Sequence, residues 1–166
     1  MFKHLSAFTL KPNSILSRTD FNQLRFTEVL DTLTLTGVQF TKNFVLDDLK
    51  IQNNGELTSI VLTNSEGLYI PDGANNTSPR LRPIPHSWAA LTKLKTINMA
   101  DCGLTQEQLG YLVVDLAERV GQGLGSAATG KALILNGGNA TLLLTNAAVS
   151  AAKTYLISKG WAVTHL

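Results

Sequence analysis

The chain has 166 residues, 44% hydrophobic and only 16% charged, with 14 basic residues against 12 acidic ones and a net charge of +2. That is enough apolar material for a sizeable core, and the basic residues are too scattered for the stripe that binding a nucleic-acid backbone requires. The single cysteine, Cys102, excludes an intrachain disulfide and a cysteine metal cage. The apolar stretch at 5–10 is too short and broken to predict a signal peptide, and nothing approaches the roughly 18 apolar residues of a membrane span.

Residues 1–25 have mixed polarity and no clean period, with a turn at Pro12, Asn13 and Ser14. They are expected to form an N-terminal arm that orders against a partner. Residues 26–90 read as an irregular β-rich part. Thr32, Leu33, Thr34, Leu35 and Thr36 alternate strictly, as a half-buried strand does. Residues 44–51 and 57–63 are further strand candidates, divided by the turn Asn53-Asn54-Gly55. A long connection follows at 64–90, holding Pro71, Pro79, Pro83 and Pro85, all but one of the prolines. It gathers Tyr69, Arg80, Arg82, His86 and Trp88, and aromatic and arginine side chains are the commonest interface anchors. Those residues are the candidate partner-binding set. The competing reading is that Trp88 and Ile84 tuck under the sheet and close the end of a stack.

Residues 91–166 alternate between strand and helix. A strand at 95–100 leads to Thr105, which with Gln108 makes a capping box at a helix start. Leu109, Leu112, Val113, Leu116 and Val120 form one apolar helical face, and Gly121, Gly123 and Gly125 end it. A second strand at 132–135 precedes a helix capped by Thr145, with Val149, Ala152, Leu156 and Ile157 toward the core. A last strand spans 161–164. Strand and helix in alternation predict parallel strands side by side.

The most informative segment is Leu94-Lys95-Thr96-Ile97-Asn98-Met99-Ala100-Asp101-Cys102-Gly103-Leu104, which fits L-x-x-L-x-L-x-x-N/C-x-L at every position. The spacing puts Ile97 and Met99 inward from one strand and Cys102 in the turn that leaves it. Weaker copies start at Leu30, Leu46 and Leu57, giving unevenly spaced strand centres at Leu33, Leu49, Ile60, Ile97 and Leu133. The expected fold class is therefore α/β: a short, degenerate leucine-rich-repeat-like stack with a parallel or mixed sheet and two helices.

Residues 91–166 also resemble, as a block, a leucine-rich-repeat-like C-terminal module of bacterial and bacteriophage structural proteins. The matching elements are the repeat strand ending at Leu104, the capped helix, the run Leu133-Ile134-Leu135-Asn136-Gly137-Gly138-Asn139, an Ala-rich helix, and Lys159-Gly160-Trp161-Ala162-Val163-Thr164. The resemblance implies a non-catalytic tail, fibre or decoration component of a virion, made in a host cytoplasm. Such a protein packs against other virion proteins and copies of itself as a homo-oligomer. It carries over no catalytic, cofactor or metal residues. The alternative is a cytoplasmic leucine-rich-repeat adaptor that binds another protein through its sheet face.

Enzyme chemistry has one sequence foothold. Gly125-Ser126-Ala127-Ala128-Thr129-Gly130-Lys131-Ala132 lacks only the final Ser/Thr of a phosphate-binding loop. That loop must follow a strand and open a helix, so that the helix N-terminus receives the phosphate; this one follows a helix and opens a strand. It reads as a glycine-rich turn. His4, His86 and His165 lie far apart and no pair has metal-ligand spacing on a helix. No catalytic residue, cofactor, nucleic acid or membrane is expected.

Overall fold

The computed structural model describes residues 7–10, 12–17, 19–22, 29–73 and 82–166. Its strands, in chain order, are β1 (Ala7–Leu10), β2 (Ile15–Leu16), β3 (Thr32–Leu35), β4 (Gln39–Phe44), β5 (Ser59–Val61), β6 (Glu66–Leu68), β7 (Thr96–Asn98), β8 (Lys131–Ile134) and β9 (Trp161–Thr164). Helix α1 (Gln106–Gly121) lies between β7 and β8, and α2 (Ala147–Ser158) between β8 and β9. Each front strand before β9 is followed by a back element: β2, β4 and β6 in the first coils, α1 and α2 in the later ones. The front strands form a six-stranded sheet in the order β1-β3-β5-β7-β8-β9, and the back strands a three-stranded sheet β2-β4-β6. Every pairing is parallel. The fold is α/β, and because β5 pairs directly with β7 the front sheet runs unbroken from the β-rich part into the C-terminal part.

The sheet stays in phase because the inward positions align across it. Phe8, Leu33, Ile60, Ile97, Leu133 and Val163 are register partners in sequence. Two residues further on, Leu35, Leu62, Met99 and Leu135 line a second inward column, each with 0% exposure. Burying one such side chain stabilises the fold by about 1.5–3 kcal/mol. The intervals along the chain are uneven because the connections differ: between β5 and β7 the chain runs through β6 and a long connection that ends in the 3-10 turn His86–Ala90, and between β7 and β8 through the 16 residues of α1.

Two further columns hold the turns. Gly37, Asn64, Asp101 and Gly137 all have positive φ, at 66°, 53°, 57° and 78°. This left-handed turn costs glycine nothing and asparagine or aspartate little. At Gly137 an added Cβ would also collide with the Asp101 carboxylate, which accepts from the Gly138 N–H at 2.5 Å. Just beyond lie Ser65, Cys102 and Asn139, all buried. Each donates to a carbonyl of the preceding coil: Ser65 Oγ to Leu35 O at 2.9 Å, Cys102 Sγ to Leu62 O at 2.8 Å, and Asn139 Nδ2 to Met99 O at 2.7 Å. Val38 fills the same place in an earlier coil and is simply buried.

Helix α1 begins as its sequence predicts. Thr105 Oγ1 accepts from the Gln108 N–H at 3.3 Å, and Gln108 Oε1 accepts from the Thr105 N–H at 2.9 Å. Replacing Thr105 by Ala removes one half of this reciprocal cap and is expected to cost about 1 kcal/mol, read as a lower urea midpoint with an unchanged slope.

Several expectations are corrected. The strand expected at 44–51 does not form: Phe44 ends β4, and Leu46–Leu49 is a 3-10 turn, stabilised by Asp48 Oδ2 accepting from the Val45 N–H at 3.2 Å. Leu46, Leu49 and Ile51 are buried, but Leu49 is no strand centre. The segment expected as an arm contributes β1 and β2 to the two sheets. The cap of α2 is Asn146, whose Oδ1 accepts from Ala148 N and Val149 N; Thr145 lies one residue outside. Ile157 is 54% exposed, because Val149, Ala152 and Leu156 already define the buried face and the next residue turns about 100° away from it.

The outward face of the front sheet has two in-register rows. One is Ala7, Thr32, Ser59, Thr96, Ala132 and Ala162; the other is Thr9, Thr34, Val61, Asn98, Ile134 and Thr164. None carries a charge, and all are exposed or half-buried. Among the described residues no helix is long and apolar enough to cross a membrane.

Candidate functional site

Helix α1 buries Leu109, Leu112, Val113 and Leu116 against the sheet. Its adjacent flank, with Gly110, Tyr111, Val114, Asp115 and Glu118, forms one wall of a groove of about 500 Å³. Gly73, Arg82 and Pro83 line the groove on one side, and Leu143, Asn146 and Val149 on the other. Gly110 lets the start of α2 approach: a Cβ there would stand 3.3 Å from Val149 Cγ2.

The groove has a charged end. Asp115 is only 4% exposed and accepts from the Ile84 N–H at 2.8 Å. Arg82 Nη1 lies 3.5 Å from its carboxylate, and Arg119 Nη2 lies 3.8 Å from it. Burial pushes the Asp115 carboxyl above the ordinary carboxylate range, against the opposing pull of the Ile84 N–H and then of Arg119 and Arg82. Arg119 is fully buried. It also donates to His86 Nδ1, donates to Gln122 Oε1 at 2.5 Å, and pairs with Glu118; its Nε has no hydrogen-bond partner among the described residues. Tyr111, on the same flank, has its phenol pushed up first by the nearby Asp72 carboxylate, then by burial and by Glu107.

The raised Asp115 carboxyl has a consequence for stability. A group that holds its proton more tightly folded than unfolded stabilises the fold fully below its unfolded pKa. That contribution is lost as the pH rises through the folded pKa. Urea midpoints measured across the acidic range are expected to include this decline, and Asp115→Asn, which keeps an acceptor for Ile84, is expected to flatten it.

The sequence-selected residues fare differently. Arg82 and His86 come together on α1, at Asp115 and Arg119. Tyr69 is 43% exposed on the chain leaving β6, outside the groove lining. Trp88 is 1% exposed on the 3-10 turn His86–Ala90, so it is a core residue and not a surface anchor. Arg80 lies outside the described residues. The reading missed Tyr111, Asp115 and Arg119. The available signal was Asp115 and Arg119, one helical turn apart and each three residues beyond an inward leucine.

Elsewhere, the glycine-rich segment after α1 packs against the chain before β7: Gly125 N–H donates to Leu91 O at 3.1 Å, and Lys131 Nζ reaches Gly125 O at 3.3 Å. A lysine tied to its own loop and leading into a strand has no phosphate-cradling geometry. Cys102 is buried, and burial pushes its thiol up to about 11, which keeps it a thiol at neutral pH. Among the described residues no three His, Cys, Asp or Glu side chains are placed to hold a metal ion. The geometry defines an α/β stack with an internally paired charge cluster beside a shallow apolar groove and a neutral sheet face. No family model, curated protein or solved structure matches the chain.

Proposed function

We propose that the chain is a non-catalytic structural protein of a virion, a component of a bacteriophage tail, fibre or decoration layer, working by packing against other virion proteins and copies of itself. The observation that carries this reading is the outward face of the six-stranded sheet, two in-register rows without a single charge. Interface cores are depleted of charged residues, and small hydroxyl and methyl groups lose little on leaving water compared with Lys or Glu. The low charged fraction of 16% and the resemblance of residues 91–166 to phage structural modules support the same reading. The charges beside the groove are engaged with one another, which favours a structural role for them over catalysis.

The test is composition. Virions purified by density gradient and washed at high salt are expected to retain the chain in fixed stoichiometry to the other structural proteins. A chain absent from washed particles and recovered with a cellular protein would overturn the reading in favour of an adaptor using the same sheet face.

A further inference from the structure

We infer that copies of this chain join head to tail, β9 of one copy pairing in parallel with β1 of the next, so that the front sheet continues from molecule to molecule. This rests on the self-packing part of the proposed function and gives it a geometry.

The first observation is that, among the described residues, the sheet ends on two strands with no partner on their outer side. β1 and β9 are its terminal strands. Proteins usually blunt such edges with lysine, proline or a bulge, yet β1 reads AFTL and β9 reads WAVT, without charge or proline.

The second is hydrogen-bond phase. In a parallel ladder one residue turns its N–H and C=O to the same side, and the next residue turns to the other. At the interior junctions Leu62 N donates to Asn98 O at 2.8 Å, Met99 N to Ile134 O at 2.9 Å, and Leu135 N to Thr164 O at 2.8 Å. Asn98, Ile134 and Thr164 thus look back along the stack, which leaves Val163 and His165 facing the free edge of β9. At the other end, Thr9 is the register equivalent of Asn98 through Thr34 and Val61, and its backbone groups face the free edge of β1. His165 N–H therefore stands where Leu62, Met99 and Leu135 stand inside the stack, and Thr9 C=O stands where their acceptors do. The two edges complement each other in the parallel sense in which the interior strands pair.

The third is what the ends expose. Interior inward residues Leu33, Ile60, Ile97 and Leu133 are at most 1% exposed, while Phe8 and Val163, the end members of the same column, are only half-buried. Ile15, in β2 at the same end of the back sheet, is 71% exposed; Ile157 of α2 and Leu166 just after β9 are each 54% exposed. A stacked repeat needs its terminal units covered, and a following copy covers both ends at once. Such a contact is heterologous and builds a ring or a filament.

The test uses polarity. Thr9 and Thr164 are both exposed in the same outer row and would be neighbours across the junction. Chains carrying Thr9→Cys and chains carrying Thr164→Cys are treated with a short bis-maleimide, separately and mixed, the wild type controlling for the buried Cys102. Cross-linked dimer is expected in the mixture and not from either variant alone. In sedimentation, wild-type chain is expected to self-associate, and His165→Pro, which removes the edge N–H, to weaken association by about tenfold or more. Equal cross-linking within each variant alone, or a wild-type chain that stays monomeric up to about 100 µM, would overturn the inference. A monomer that still copurifies with washed virions would defeat this inference and leave the virion role standing.

Discussion

Asn139→Ala is expected to destabilise the fold by about 3–5 kcal/mol. Asn139 is 5% exposed and uses its whole amide. Nδ2 donates to Met99 O at 2.7 Å and Leu135 O at 3.0 Å; Oδ1 accepts from Cys102 N and Leu104 N, each at 3.0 Å. Alanine leaves two buried N–H groups and two carbonyls without this partner, and each stranded buried group costs about 1–3 kcal/mol where water cannot replace it. Asn139→Asp separates donor from acceptor. One carboxylate oxygen still serves Cys102 and Leu104, but the other then faces two carbonyls and must keep its proton to remain compatible with them. Its folded pKa is raised, so the variant is expected to be most stable at low pH and to lose stability as the pH rises through that value. Urea unfolding of both variants across pH reads the two effects. An Asn139→Asp variant as stable as wild type at every pH would show that the donor pair contributes nothing.

Where the inward pattern was strict, it was legible in sequence. Ile97, Met99, Leu133 and Leu135 lie inward on neighbouring parallel strands as the repeat spacing predicts, and Thr105 with Gln108 closes its capping box. The expected strand at 44–51 fails for a local reason. Leu46, Leu49 and Ile51 satisfy the leucine spacing, but the carboxylate of Asp48 offers the Val45 N–H a partner within the same segment, and the chain winds into a 3-10 turn. Apolar spacing records which side chains go inside; it does not separate a tight turn from a strand over so few residues. β1 was overlooked because a four-residue edge strand carries too little alternation to stand out; its identity comes from its register with β3. The charge cluster around Asp115 was hidden for a different reason. Arg82 and His86 reach it from a connection more than 30 residues away, and only the tertiary path shows that they share one helix flank.

Trp88 decides between two readings of that connection, and Trp88→Ala is expected to cost the isolated chain about 3–5 kcal/mol. A tryptophan just after a run of arginines and prolines reads as an interface anchor when nothing but composition is visible. In the fold its 3-10 turn is fixed by the Trp88 N–H bonding to Pro85 O at 3.0 Å and the Leu91 N–H to Trp88 O at 2.9 Å. The ring is turned into the core cluster that also holds Ile84, Leu91 and Leu116. Removing it opens a cavity in a close-packed interior, and the prolines that hold the turn resist the collapse that would refill it. An exposed anchor behaves otherwise: its truncation leaves the free chain within about 0.5 kcal/mol of wild type and appears only when a partner is present. Thermal or urea unfolding of Trp88→Ala therefore separates the two readings without knowledge of any partner. A loss of several kcal/mol places Trp88 in the core and leaves Arg82 and His86, bonded to Asp115 and Arg119 at the groove, as the members of the selected set that meet the α1 charge cluster.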